Sequence, residues 1–363
     1  MNNSDQCKDG MLNLSDPVDA DNVLYTSTED LMFTVILPLL LFIGISANSA
    51  FIFVVSRVKT MQTITNAYLT NLSATDLIFV GISCCVYIAN YAHSRVRDDV
   101  KFSSWMGCLG MWFGIMTTYF TSLVTITLVT VEKYSALCHP LRHMTINGKG
   151  RTIKLLIISW LIGTVLGFLT SLGYPKIQRL CVEWPDTHRY NTMPEVIEYC
   201  AHLHPIVNIF ADSIFVVSFC VVFICSSYMY TRIIIALSSR PTGENDTSGA
   251  STSQALQALR VRNQVARLLI KNGMIFFCCQ APYRLVQVHT IWSGITGRSF
   301  MSLAQLGGLN VIARGLVLVN SCINPFVYYV SSLYYRSAFK QAFCRRNEQA
   351  SLKSAVTMSS VHR

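Results

Sequence analysis

Seven stretches of this chain are each long and apolar enough to cross a lipid bilayer: residues 31–56, 66–92, 105–136, 153–174, 203–237, 266–292 and 302–330. A spanning helix needs about 20 mainly apolar residues. Inside hydrocarbon a backbone amide finds no water, so such runs must satisfy their own hydrogen bonds as helices. Composition agrees, since 52% of the 363 residues are hydrophobic and only 13% are charged, too few to coat a water-soluble globule of this size. The expected fold is an all-α membrane protein, a seven-transmembrane helix bundle over residues 31–330. Its last span contains Asn310, Arg314, Asn320 and Asn324, tolerable only on a face turned toward a polar interior.

The net charge of +10 is spread between the apolar runs, which points to membrane topology and away from nucleic acid. Basic residues follow the first, third, fifth and seventh spans, for example Arg57, Arg142, Arg232 and Arg336. Those regions are expected in the cytosol, which puts residues 1–30 outside the plasma membrane. That acidic segment shows no cleavable signal peptide and carries the glycosylation acceptors Asn2 and Asn13; the same pattern at Asn71 falls inside a span. Residues 238–260 read as a flexible cytosolic loop and 346–363 as a cytosolic tail. Between them, 331–345 has the spacing of an amphipathic eighth helix on the membrane face, with Cys344 at its end as a palmitoylation site. No Cys-x-x-Cys, His cluster, phosphate loop or nucleophile motif occurs, so neither enzyme chemistry nor a resident cofactor is expected.

The spans also carry isolated polar and kinking residues. The first has Asn48 in "GISANSAFIFVV", the second Asp76 in "NLSATDLIF", and the third ends in "TVEKYSALCHPLR". The fourth has Trp160, the sixth Pro282 in "FFCCQAPYR", and the seventh ends in "NSCINPFVYY". A carboxylate in mid-membrane is costly unless paired or hydrated, and Asn48, Ser122, Asn320, Ser321 and Asn324 are available to surround Asp76. One such mark per span, in this order, resembles the rhodopsin-like (class A) family of G-protein-coupled receptors over about residues 31–345.

The resemblance implies a set of roles. The polar residues around Asp76 would line a site for a sodium ion. Phe276, Pro282, Pro325 and Tyr328 would form a switch that lets the cytosolic half of helix six swing outward. Glu132, Lys133 and Tyr134 would stand for the family's acid-Arg-aromatic triplet, with Pro140 and Leu141 docking on a heterotrimeric G protein. A receptor kinase and arrestin would act on the Ser-rich tail. Cys108 would be tied to the second extracellular loop, where Cys181, in mid-loop, is preferred to Cys200. The chain departs from the family at Gln280, where a Trp is usual, at Lys133 in place of Arg, and in a fifth span without an internal Pro.

The resemblance also narrows the ligand. No acid stands near Ile115, where amine receptors carry an Asp, and no Lys in the seventh span offers a retinal linkage. Tyr283, Arg284 and Gln287 with Arg314, Ile115 and Met116 would instead meet an extracellular peptide rich in carbonyls or bearing a carboxylate, because guanidinium groups need acceptors. Pairing of one Arg with Glu198 or Asp212 is the alternative. "PYR" is most similar to the thyrotropin-releasing hormone receptors of the neuropeptide branch, which implies a short amidated ligand. An atypical arrestin-coupled or scavenging receptor would fit the departures.

Overall fold

A computed structural model describes residues 10–100, 104–146, 148–173, 176–201, 204–238 and 250–343. The expectations for Asn2, Cys344 and the tail 346–363 lie outside the described residues.

The bundle consists of α3 (Leu37–Arg57), α4 (Ile64–His93), α5 (Trp105–Cys138), α7 (Lys149–Ser171), α8 (Pro205–Ser238), α9 (Ala250–Thr296) and α10 (Leu303–Ser331). Two short helices, α1 (Pro17–Val23) and α2 (Ser27–Leu31), precede it, and α6 (Pro140–Ile146) follows α5. Side-chain caps set several starts. Thr63 accepts from the Asn66 amide at α4, Ser104 from Gly107 at α5, and Ser302 forms a capping box with Gln305 at α10. A π-helical turn over Met32–Ile36 joins α2 to α3.

Six of the seven helices are long and apolar enough to span on their own. The exception is α9, whose inward face buries Asn272, Gln280, Arg284, Gln287 and His289. Its polarity is turned to the bundle axis, so the seven-helix bundle stands. The same helix corrects the loop expected at 238–260, because it reaches back to Ala250. The stretch "ALQALRVRNQVARLL" is made of good helix formers; residues 239–249 of that loop lie outside the described residues.

Closest packing joins α5 and α7. A Cβ on Gly167 would lie 2.7 Å from the Thr117 backbone nitrogen, and one on Gly163 would run into the Thr121 hydroxyl. Gly163 and Gly167 form a small-xxx-small pair that lets two helix backbones approach. After Ser332, residues 333–343 form α11, which buries Tyr335, Ala338 and Ala342 and leaves Leu333 and Phe343 exposed. Tyr335 donates to Asn66 Oδ1 at 2.7 Å, fixing α11 to the start of α4. Asn71, in α4, bonds Thr125 and Trp160, as a membrane-buried amide should and a glycan acceptor could not.

The end of the bundle that carries the N-terminus is capped by a sheet of β1 (Met11–Asn13), β2 (Lys176–Glu183) and β3 (Val196–Ala201), in the order β1-β2-β3. β1 runs parallel to β2, with Met11 opposite Cys181, and β2 antiparallel to β3. Leu14, Ala20, Leu24, Val96, Val182, Tyr190 and Ile197 form a separate small core beneath. Ion pairs Arg97–Glu29 at 2.7 Å and Arg189–Asp21 at 3.1 Å fasten the N-terminal segment to the two loops beside it. Burial and the nearby Asp98 carboxylate push the Tyr25 phenol up. Asn13 is exposed on β1, its side chain accepting from Ser15.

This cap corrects the disulfide. Cys108 bonds Cys200, with Cα atoms 5.8 Å apart, and not Cys181. In the β2–β3 ladder Cys200 faces Ile177 while Cys181 faces Val196, so Cys181 lies four residues farther along the hairpin, about 13 Å away at the usual rise. That exceeds the reach of a disulfide. Cys181 is itself disulfide-bonded.

Candidate functional site

Below the cap, α4, α5, α8, α9 and α10 enclose a cavity with an empty volume of about 490 Å³, open mouth included. Of the expected ligand residues, Ile115, Met116, Tyr283, Arg284 and Arg314 line it. Gln287 stands behind them, accepting from Arg284 and donating to Asp212 Oδ1 at 3.1 Å. The sequence reading missed Phe79, Tyr87, Tyr119 and Phe215. Tyr119 could have been found, since it lies one helical turn beyond Ile115 on the same face.

Arg284 is the dominant charge of this cavity. It is buried, and its guanidinium sits 4.8 Å from the Tyr119 ring centroid and 5.3 Å from that of Phe215. Among the described residues its Nη atoms donate to neutral amides alone, Gln287 and, at 3.2 Å, Gln280, and its Nε has no hydrogen-bond partner. Asp212 reaches it by hydrogen bond through the Gln287 amide and feels its charge through space, and Glu198 pairs elsewhere, with Arg179 at 2.7 Å. The expected alternative of direct internal pairing is therefore not what the fold adopts for Arg284. Such a cation, desolvated and stacked on aromatic faces, can offer charge-assisted hydrogen bonds to an incoming oxygen. Arg314 is half-buried, donates to Asn310 Oδ1 at 3.1 Å and lies over Tyr87.

Deeper in the bundle a second cavity, about 280 Å³, is lined by Asp76, Ser122, Asn320, Ser321, Phe276 and Gln280 among others. Asn324 Nδ2 donates to Asp76 Oδ2 at 2.6 Å, and Ser122 donates to Thr75 at 2.8 Å. Asn48 stands one step back, donating to the carbonyls of Gly44 and Ser321. Five of the six expected residues thus meet around one cavity or touch its carboxylate, and the sixth braces it. Among the described residues the buried Oδ1 of Asn320 has no hydrogen-bond partner, which together with Asp76 makes an oxygen set suited to a hard monovalent cation. Pro282 and Pro325 lie inside α9 and α10, and Tyr328 is fully buried between Phe51 and Tyr335.

At the opposite end of the bundle, Lys133 Nζ pairs with Glu132 at 2.9 Å and bonds the Thr65 hydroxyl. Thr65 in turn donates to Glu132 at 3.4 Å, so α4 closes the pair into a buried triangle. Tyr134 contacts His139 across 3.3 Å. Pro140 starts α6, and Leu141 is 82% exposed, an apolar side chain presented on the surface beside the triplet.

Comparison with known proteins matches residues 47–328 to the 7 transmembrane receptor (rhodopsin family). The chain is 26% identical to the Tachykinin-like peptides receptor 86C of Drosophila melanogaster over 86% of its own length, although it spans only 58% of that relative. It is 24% identical to the [Phe13]-bombesin receptor of Bombina orientalis over 91% of this chain and 80% of the relative. It is 27% identical to the Neuromedin U receptor homolog nmur-2 of Caenorhabditis elegans over 82% and 75%. Seven packed helices, their polar marks and a match across most of the bundle agree: this chain is a multi-pass membrane protein that belongs to the rhodopsin family of seven-transmembrane receptors.

Proposed function

We propose that the chain is a receptor for an extracellular neuropeptide and signals to a heterotrimeric G protein. The observation that carries this is the buried Arg284, stacked on Tyr119 and Phe215 and held by neutral amides, in the cavity they line. Relatives named for tachykinin-like peptides, bombesin and neuromedin U support a peptide. A short amidated peptide, in the manner of thyrotropin-releasing hormone, supplies carbonyl oxygens to Arg284 and Arg314 without a formal charge. The capped end faces outward at the plasma membrane, and the end bearing Glu132 and Lys133 faces the cytosol, with arrestin and a receptor kinase acting there.

The test is a panel of amidated and free-acid peptides applied to cells expressing the full chain, read by calcium, cAMP and arrestin recruitment. An amidated peptide should activate wild type, and Arg284→Ala should lower its potency by about 10- to 100-fold, the worth of a hydrogen bond to a charged group. Arrestin recruitment or uptake with silent G-protein channels would replace this reading by an atypical scavenging receptor, which Lys133 and Gln280 would then explain.

Lys133 gives a second expectation. Glu132 and Thr65 hold its ammonium as a point charge, where an Arg would offer a planar fork of donors. Lys133→Ala should lower maximal G-protein activation severalfold with peptide affinity unchanged, and Lys133→Arg should maintain or raise it. Equal signalling by both variants would leave the triangle a structural helix clasp.

In the deep cavity Asp76, Ser122, Asn320 and Ser321 would hold a sodium ion. The ion would supply the positive charge that a carboxylate buried in mid-membrane otherwise lacks.

A further inference from the structure

Asp98, in the turn that leaves α4 for α5, is exposed, and among the described residues it is the one non-glycine with a positive φ, 60°. Hydrogen bonds pin this turn from both sides. The Arg97 amide donates to the Val23 carbonyl at 2.9 Å, and the Val100 amide to the Glu198 carbonyl at 2.7 Å. Asp98 therefore stands where the N-terminal segment meets the β2–β3 hairpin. Three carboxylates act on the Tyr25 phenol there: Asp98, Glu29 and Asp99. Glu29 is taken by Arg97 through two bonds, of 2.7 and 3.0 Å, and Asp99 accepts the Glu198 amide at 3.0 Å. Arg95 lies nearest Asp30, at 3.7 Å. Asp98 makes no ion pair or side-chain hydrogen bond among the described residues.

The field of Asp98 also reaches the phenol of Tyr87, a wall of the ligand cavity with the Arg314 guanidinium 5.6 Å from its ring centroid. Tyr25 and Tyr91 have their rings 5.2 Å apart, and Tyr91 is one helical turn from Tyr87 along α4. A file of aromatic rings thus joins the Asp98 turn to the cavity wall. We infer, resting on the peptide-receptor reading above, that Asp98 is a specificity-determining residue that binds a cationic group of the peptide while the peptide's carbonyl end meets Arg284. A buried guanidinium in the cavity and an unclaimed carboxylate beside its aromatic wall select one polarity of ligand, acceptors at one end and a cation at the other. The Tyr25 ring beside Asp98 adds an aromatic face to that cation site.

The test is a positional-scanning library of amidated hexapeptides, each pool fixing one position as Arg, citrulline, norleucine or Glu, in free-amine and N-acetylated form. Cells expressing the full chain are read by calcium, cAMP and arrestin recruitment, and active pools are resynthesised as single peptides. Wild type should respond best to peptides with a cation at one position. Neutralising it should lower potency about 3- to 10-fold, the worth of a partly solvated ion pair beside an aromatic face. Citrulline causes that loss where a side chain is the cation, and N-acetylation where the α-ammonium is. Asp98→Asn retains the side-chain shape in a residue type that accepts a positive φ. It should reproduce the loss for the cationic peptide and leave the neutralised peptide within about twofold of wild type. Asp98→Lys should turn the preference at that position toward Glu, and added NaCl should narrow the wild-type difference by screening.

An equal loss for both peptides in Asp98→Asn would make Asp98 a structural residue of the turn and overturn the inference. Peptides that activate wild type with no preference for a cation, or with a preference for Glu, would overturn it as well and leave the peptide-receptor reading intact. A wild type that no pool activates would remove the amidated-peptide reading and this inference together.

Discussion

Cys200→Ser will remove most of the receptor from the cell surface, and Cys181→Ser will not reproduce that loss through the same bond. The Cys108–Cys200 bridge closes 92 residues of sequence, for which chain entropy gives a stabilisation of up to about 4–5 kcal/mol. Membrane insertion already restricts the unfolded chain, so the realised value lies below that limit. The geometric role adds to it, because the bridge holds the start of α5 against the β2–β3 hairpin that roofs the cavity. Non-reducing peptide mapping should recover Cys108 joined to Cys200 in wild type and in Cys181→Ser alike. A Cys108–Cys181 peptide, or normal surface expression of Cys200→Ser, would reverse the assignment.

Gly167→Val should be as damaging. The added Cβ would meet the Thr117 backbone nitrogen at 2.7 Å and Cα at 2.8 Å, and a backbone cannot rotate away as a side-chain tip can. Overpacking commonly costs about 1–3 kcal/mol, and here α5 and α7 must separate along their whole contact, so the expected loss lies at or above that range. Surface expression below about a tenth of wild type follows if folding is only marginally stable. Gly110→Ala is the control, since a Cβ there meets nothing within 4 Å, and it should express normally. Comparable expression of Gly167→Val and wild type would mean that α5 and α7 are not in the tight contact described.

The spans were legible because hydrocarbon thickness acts on single segments and leaves its mark in any one of them. Boundaries came within a few residues for α4, α5, α8 and α10, with caps such as Thr63 and Ser302 refining them. The two cavities were partly legible for a related reason: a polar residue such as Asp76 or Arg284 inside an apolar run must face the interior, so its direction follows from its chemistry. Phe79, Tyr119 and Phe215 were not, because an aromatic residue in a span is at home against lipid or protein, and only packing decides.

The disulfide was illegible because two cysteines of one loop differ by their place in a hairpin register that no local signal sets. Illegible too was the order of the N-terminal segment, where the sequence offered only acidic residues and glycosylation acceptors. Its ordering depends on partners far along the chain, Arg97 for Glu29, and Arg189 and Tyr190 for Asp21. The glycines at 163 and 167 went unmarked, since their spacing alone does not name the helix they admit.

The strand pairing of Met11–Asn13 with Cys181–Glu183 brings together pieces of chain about 170 positions apart. As an antigen, then, the capped end is a composite surface. A serum raised against a linear peptide from residues 11–31 should stain the denatured receptor on a blot, while antibodies selected on the folded protein should lose their epitope once the chain is unfolded and reduced.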